Sequence, residues 1–286
     1  AEGLIDATKY ENVNVKLFLS GNNVENAQQL ITSAGALNIQ KGAGIVNHAG
    51  AHNKPAIAIT NGTVSVDGGY FGNNLTVNAS EKSLTTYGSV LNVGKEAGRV
   101  NIQNGYFLNN KTNGYRGVFS VENGEDVTFG ECWFQGNVAE STAGVGNLRN
   151  SSAAITNCTF IKNTGNGMGA LQIDNQNAAD GTVRKVSLTG CTFIDNKADN
   201  HKASGDGSGN HGCGGAVYLS DSADAIFTNC SFTKNSASGI AAYEGGGAVY
   251  LTSTAKAEYV NCEFDGNNSS DKVPDAIKSN GGGAIY

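Results

Sequence analysis

The sequence predicts an all-β chain folded as a right-handed parallel β-helix of roughly nine coils. Three observations predict it. Phe-x-x-Asn occurs seven times in 286 residues, beginning at Phe71, Phe107, Phe134, Phe160, Phe193, Phe232 and Phe264. From the middle onward these copies alternate with a glycine tetrapeptide, at Gly214-Gly215-Ala216-Val217, Gly246-Gly247-Ala248-Val249 and Gly282-Gly283-Ala284-Ile285, with a looser form at Met168-Gly169-Ala170-Leu171. The intervals between successive phenylalanines are uneven: 36, 27, 26, 33, 39 and 32 residues. A constant frame with variable spacing is the mark of stacked coils carrying loops of different length.

The local pattern is strand. Gly214–Asn235 and Gly246–Asn267 align without gaps and match at 12 of 22 positions, sharing GGAVYL and Asn-Cys-x-Phe-x-x-Asn. Residues two apart in a strand share a face. The inward row therefore holds Cys132, Cys158, Cys191, Cys230 and Cys262, each with a phenylalanine two places on. In the two earlier repeats Gly69 and Gly105 take the cysteine place. The outward row between them reads Trp133, Thr159, Thr192, Ser231 and Glu263.

Stacking would bring equivalent residues to ~4.8 Å, the spacing of neighbouring strands. That predicts a phenylalanine stack, a cysteine column and an asparagine ladder at the corners, formed by Asn74, Asn110, Asn137, Asn163, Asn196, Asn235 and Asn267. Asparagine amides in such ladders donate from one strand to the next. The third motif place reads Lys162, Asp195 and Lys234 in successive coils, so opposite charges would be neighbours. Each coil is expected to hold two or three short strands.

Upstream of Phe71 the frame weakens, although 35–39 and 55–59 still look like rungs. Residues 1–34 are expected to form an N-terminal cap or first coil, because an open end exposes unpaired backbone. Residues 35–286 form the β-helix. The chain stops at Tyr286 inside a glycine-motif strand, so it reads as a fragment of a longer solenoid, or as one whose next coil comes from another molecule.

Composition narrows the function. Glycine is abundant (40), proline scarce (2), and only 15% of residues are charged. Glycine and asparagine tolerate tight corners. A net charge of -6 with no Lys/Arg cluster argues against a nucleic-acid partner. No apolar run is long enough to span a bilayer. Ala1 opens without a signal peptide, so a mature or trimmed form is expected. The uncharged coat of Asn, Ser, Thr and Gly suits secretion.

The alternation of Phe-x-x-Asn with Gly-Gly-Ala-Ile/Leu/Val resembles the repeats of the chlamydial polymorphic outer membrane proteins. Autotransporter and adhesin-like β-helices are similar more widely. The resemblance covers about residues 65–286. It implies a secreted or cell-surface (outer membrane) β-helical passenger, with adhesion to host cells or matrix, and hence virulence, as its usual role. It also implies a host-cell or matrix protein or glycan as ligand, and membrane contact only through a C-terminal barrel that does not follow Tyr286. The early repeats depart from the glycine motif, reading Arg116-Gly117-Val118-Phe119 and Gly88-Ser89-Val90-Leu91.

The candidate binding surface is a set of excursions between Phe-x-x-Asn and the glycine motif, at 75–87, 138–150, 197–213, 236–245 and 268–281. In a solenoid such insertions gather on one face. The third contains His201, Lys202, Asp206, His211 and Cys213. Histidine, cysteine and aspartate can bind zinc, which makes His201, His211 and Cys213 weak metal candidates. Their spacing fits no standard pattern, and neither a metal nor another cofactor is expected. The cysteine column reads as free thiols packed as small apolar residues, with Cys213 outside it as an exposed thiol or one paired elsewhere. The enzymatic alternative is a polysaccharide lyase or hydrolase, for which Asp174, Asp180 and Arg184 are the best residues on offer. A further alternative is a filament subunit that stacks end to end with its own copies. Asn157 and Asn229 open Asn-x-Ser/Thr triplets but read as buried ladder residues rather than glycan sites.

Overall fold

A computed structural model describes residues 5–6, 8, 11–15, 18–20, 29–51, 53–76, 88–175, 182, 184–199, 212–239, 245–271 and 283–286. The strands form three parallel sheets of 16, 9 and 8 strands, each built from strands of successive turns. The result is a parallel β-helix. The nine strands of the second sheet run from Phe18–Ser20 to Glu263–Asp265 and count nine turns.

Most turns hold four short strands rather than two or three. One turn, for example, runs Phe119–Glu122, Asp126–Gly130, Trp133–Gln135 and Val138–Ala139. The first two belong to the largest sheet, which bends between them. In two earlier turns the pair runs on as the long strands Ile57–Asp67 and Leu91–Gln103, whose mutual register shifts where the two halves meet. The rungs expected at 35–39 and 55–59 are strands, but in different rows. Ala36–Ile39 pairs with the second half of Ile57–Asp67, whereas Ile57 opens the first half of that same strand. Nearer the N-terminus, Ile5–Asp6, Asn12–Val15 and Phe18–Ser20 each pair in parallel with the following turn.

Corners follow from backbone conformation. The third place of every Phe-x-x-Asn copy has positive φ, whether it is Asn73 (54°), Asn109 (54°), Gly136 (64°), Lys162 (51°), Asp195 (56°), Lys234 (53°) or Gly266 (59°). Asparagine and glycine suit that left-handed region; lysine tolerates it only because the neighbouring turns hold the corner. A second left-handed row stands just before the cysteine place and includes Asn104, Glu131, Asn157, Asn229 and Asn261. Asn157 and Asn229 are thus exposed corner residues and not members of the buried ladder.

The ladder itself lies one residue beyond the first corner row. The Asn110 Nδ2 donates to Asn137 Oδ1 at 3.0 Å and to the Phe71 carbonyl of the preceding turn at 3.0 Å. The Asn110 backbone N–H reaches the same Asn137 oxygen at 3.0 Å. This arrangement repeats through Asn74, Asn137, Asn163, Asn196 and Asn235 to Asn267. Each interior amide uses both donors and both acceptor sites. One turn earlier, His48 occupies the asparagine place and Ile45 the phenylalanine place. The His48 N–H donates to Asn74 Oδ1 at 3.1 Å, and its Nε2 meets the Lys54 carbonyl at 3.1 Å.

Inside, seven phenylalanine rings stack face to face from Phe71 to Phe264. Their centroids are 4.6–4.9 Å apart and their planes within 11°. Phe129 and Phe227 close on this stack edge-on. The glycine motif begins the next turn. Gly214 and Gly246 have φ of 61° and 62°, and a Cβ on Gly215 would run into the Gly247 carbonyl.

The charge alternation expected at Lys162, Asp195 and Lys234 forms no ion pair; on an exposed corner such a pair gains little. Cross-turn ion pairs lie on strands instead, as in Arg99–Asp126 and Lys185–Asp224.

Two predictions follow from the ladder. Asn137→Ala strands the buried partners of both neighbouring turns, so chemical denaturation should register a loss of about 3 kcal/mol or more. His48 is buried and its pKa is lowered, chiefly by desolvation. The unfolded chain then takes the proton first. Stability is whole above about pH 6.5 and falls as pH drops from there toward the lowered native value. His48→Asn should flatten that part of the stability–pH curve relative to the parent.

Candidate functional site

The slot from which the loops leave is built of small buried residues. Strands of the third sheet end each turn, and their inward positions are Thr76, Thr112, Ala139, Ala198 and Ala237, all buried. The chain re-enters the frame at a row of isolated parallel bridges, Arg116, Ala143, Met168, Cys213 and Gly245. Both feet of every loop are therefore fixed by the scaffold, and what lies between is free to vary in length.

This geometry trims the excursions. Residues 138–150 are almost wholly frame: Val138–Ala139 and Gly146–Arg149 are strands, Ala143 is a bridge, and only 140–142 make the return. The other excursions lose their ends in the same way to Leu75–Thr76, Lys197–Asp199, Ser236–Gly239 and Asn268–Asp271. The slot is also not the sole exit, because 175–184 separates Leu171–Asp174 from Lys185–Thr189 at a different corner. His201, Lys202, Asp206 and His211 lie outside the described residues.

Cys213 is not an exposed thiol. It is buried in the bridge row between Met168 and Gly245. None of the six cysteines forms a disulfide. In the column the sulfurs serve the backbone: Cys132 donates to the Ile102 carbonyl at 3.4 Å, Cys191 to Ile155 at 3.3 Å and Cys230 to Leu188 at 3.4 Å, each in the preceding turn. The Cys158 sulfur accepts the Cys132 N–H at 3.4 Å. The hydrogen bonds that Cys158 and Cys191 share with the neighbouring thiols, followed by burial, push both pKa values up. A thiolate is the reactive form, so these are packing groups.

The best acid for catalysis is already engaged. Asp174 ends its strand, facing outward, yet its side chain is only 1% exposed. Arg149 Nε donates to Asp174 Oδ1 at 2.9 Å and Asn147 Nδ2 to Oδ2 at 2.8 Å, both from the preceding turn. Asp174 and Arg149 face each other in register. Arg184, read with Asp174 as a candidate, supplies a carbonyl to Asn175 Nδ2 at 3.0 Å, and Asp180 lies outside the described residues. Sequence reading missed the Arg149–Asp174 pair because both residues lie outside the tetrapeptides that define the frame. Among the described residues no group of three His, Cys, Asp or Glu side chains could hold a metal ion.

The buried thiols should be silent to Ellman's reagent in the native protein. We expect Cys262, the one half-exposed cysteine, to react first, and all six to react in denaturant; rapid native labelling at Cys158 or Cys191 would contradict the packing described.

No curated protein and no solved structure matches the chain. Residues 229–252 and 261–286 match the Chlamydia polymorphic membrane protein repeat. Each match runs from the corner asparagine before the cysteine, through Phe-x-x-Asn, and into the following glycine-motif segment. The last two turns of the chain thus carry chlamydial polymorphic membrane protein-like repeats.

Proposed function

We propose that this chain is part of the β-helical passenger of a surface-exposed or secreted protein, and that it acts as an adhesin through the loops inserted beside the third sheet. The observation that carries the proposal is the division of labour in that slot. The described feet of these loops pair in parallel with the neighbouring turns, while the intervening lengths differ. Fixed feet with variable content are what a binding scaffold needs. The repeats matched in the last two turns support a surface setting. The low charge and the closed hydrogen bonding of the rungs fit a rigid rod outside the cell. The engagement of Asp174 with Arg149 and Asn147 removes the strongest residue for a polysaccharide-cleaving alternative.

The test is a loop graft. Segments 77–87, 200–211, 240–244 and 272–282 would each be replaced by the three-residue return Glu140-Ser141-Thr142. Saturable binding of the parent to cultured epithelial cells or matrix protein should fall in at least one graft while the melting temperature holds. Binding that survives all replacements together, or no binding by the parent, would sink the adhesin reading. Clear turnover of an acidic glycan would do the same.

A further inference from the structure

The outward row of the phenylalanine sheet is polar in its last four turns, reading Thr159, Thr192, Ser231 and Glu263. In three consecutive turns before that it is aromatic. Tyr70, Tyr106 and Trp133 face one another in register across adjacent strands and are 37%, 51% and 36% exposed. Single exposed aromatics are ordinary, but a contiguous row is not. No packing need explains this one, because the inward row of the same strands already supplies Phe71, Phe107 and Phe134 to the core.

We propose that this ridge is a binding platform for an uncharged oligosaccharide. The ring faces of Tyr and Trp offer flat apolar area with little entropy to lose, which suits the C–H face of a pyranose. One ring per turn gives a repeat of ~4.8 Å along the helix axis, close to that of a sugar unit in an extended chain. The rims carry planar hydrogen-bonding groups for hydroxyls. Asp67 and Asn104 stand at one corner, joined at 3.0 Å, with Glu131 in the same row one turn on. Gln135 lies beside Trp133, its Oε1 accepting from Trp133 Nε1 at 2.9 Å. Asn73 and Asn109 occupy the opposite corner.

Charge selects among ligands. The three strands carry no charged residue, and the exposed corner groups beside them are the carboxylates Asp67 and Glu131. The nearby cations Arg99 and Lys111 are held by Asp126 and Glu140, the Lys41 stem packs over Gly68 one turn outside the ridge, and the exposed corner residue Lys162 stands one turn beyond Trp133 at the other end. A negatively bordered platform repels uronic or sulfated chains and anionic lipid surfaces. A neutral, hydroxyl-rich chain meets no such penalty. The ridge lies on a different sheet from the loop slot, so its failure and that of the adhesin loops are separable.

Trp133 is the single tryptophan and reports on the site directly. The full chain would be titrated with cellohexaose, maltohexaose and N-acetylchitohexaose while its emission is followed, with polygalacturonate and phosphatidylcholine vesicles as comparison arms. We expect a saturable shift with at least one neutral hexamer and none with polygalacturonate. Tyr106→Thr, which installs the residue the same row carries at Thr159 and Thr192, should weaken binding about tenfold or more with an unchanged melting curve. Should that variant misfold, Tyr70→Thr serves the same purpose. The proposal is overturned by the absence of any shift with the hexamers, by an equal shift with polygalacturonate, or by undiminished binding in the threonine variants. A response to vesicles alone, or a concentration-dependent dimer abolished by Trp133→Thr, would also overturn it by assigning the ridge to a lipid or to a second copy.

Discussion

At the end of each phenylalanine strand the backbone turns through a left-handed residue, and the asparagine of the next turn meets both the phenylalanine carbonyl and the ladder asparagine N–H of that corner. A single asparagine amide satisfies both. Its Nδ2 reaches back to the phenylalanine carbonyl of the preceding turn and forward to the next asparagine, whose oxygen also takes the backbone N–H. A buried polar group left unpaired costs about 1–3 kcal/mol, so this arrangement holds only while every turn stacks in register. The phenylalanine contacts depend on that register. Rings set one strand spacing apart are at a good separation for parallel stacking, and a slip of one residue would turn the whole inward row to solvent.

The same constraint separates scaffold from variable surface. Between the ladder asparagine and the glycine motif the described residues meet the neighbouring turns chiefly at the third-sheet strand and the bridge row. Length can change there without disturbing a ladder bond. By contrast, the outward side chains of the phenylalanine sheet are held rigidly on paired strands, and a preorganised surface loses less entropy on binding. The molecule thus offers two kinds of recognition surface, one adaptable and one fixed, from a single repeating unit.

Much of this was legible in the residues. Phe71 to Phe264 and Asn74 to Asn267 occupy the places their spacing implied, because a period-two strand pattern and a fixed tetrapeptide leave one stacking solution. The cysteine column was readable for the same reason. Asn157 and Asn229 were misread because adjacent places of one motif differ in backbone conformation, and φ is not visible in a tetrapeptide. The charge pairs expected at Lys162 and Asp195 were misplaced on similar grounds, since side chains on a left-handed corner splay into water. His48 escaped notice because it stands in a copy that lacks the phenylalanine.

The sequence by itself determined the repeat, the inward and outward rows, and the order of coils, since these follow from spacing and side-chain alternation along one strand. Only the tertiary structure decided which residues of different turns meet. The contact of Arg149 with Asp174 and the burial of Cys213 depend on cross-turn register outside the tetrapeptides. That register passes through insertions whose length says nothing of where the chain rejoins the sheet.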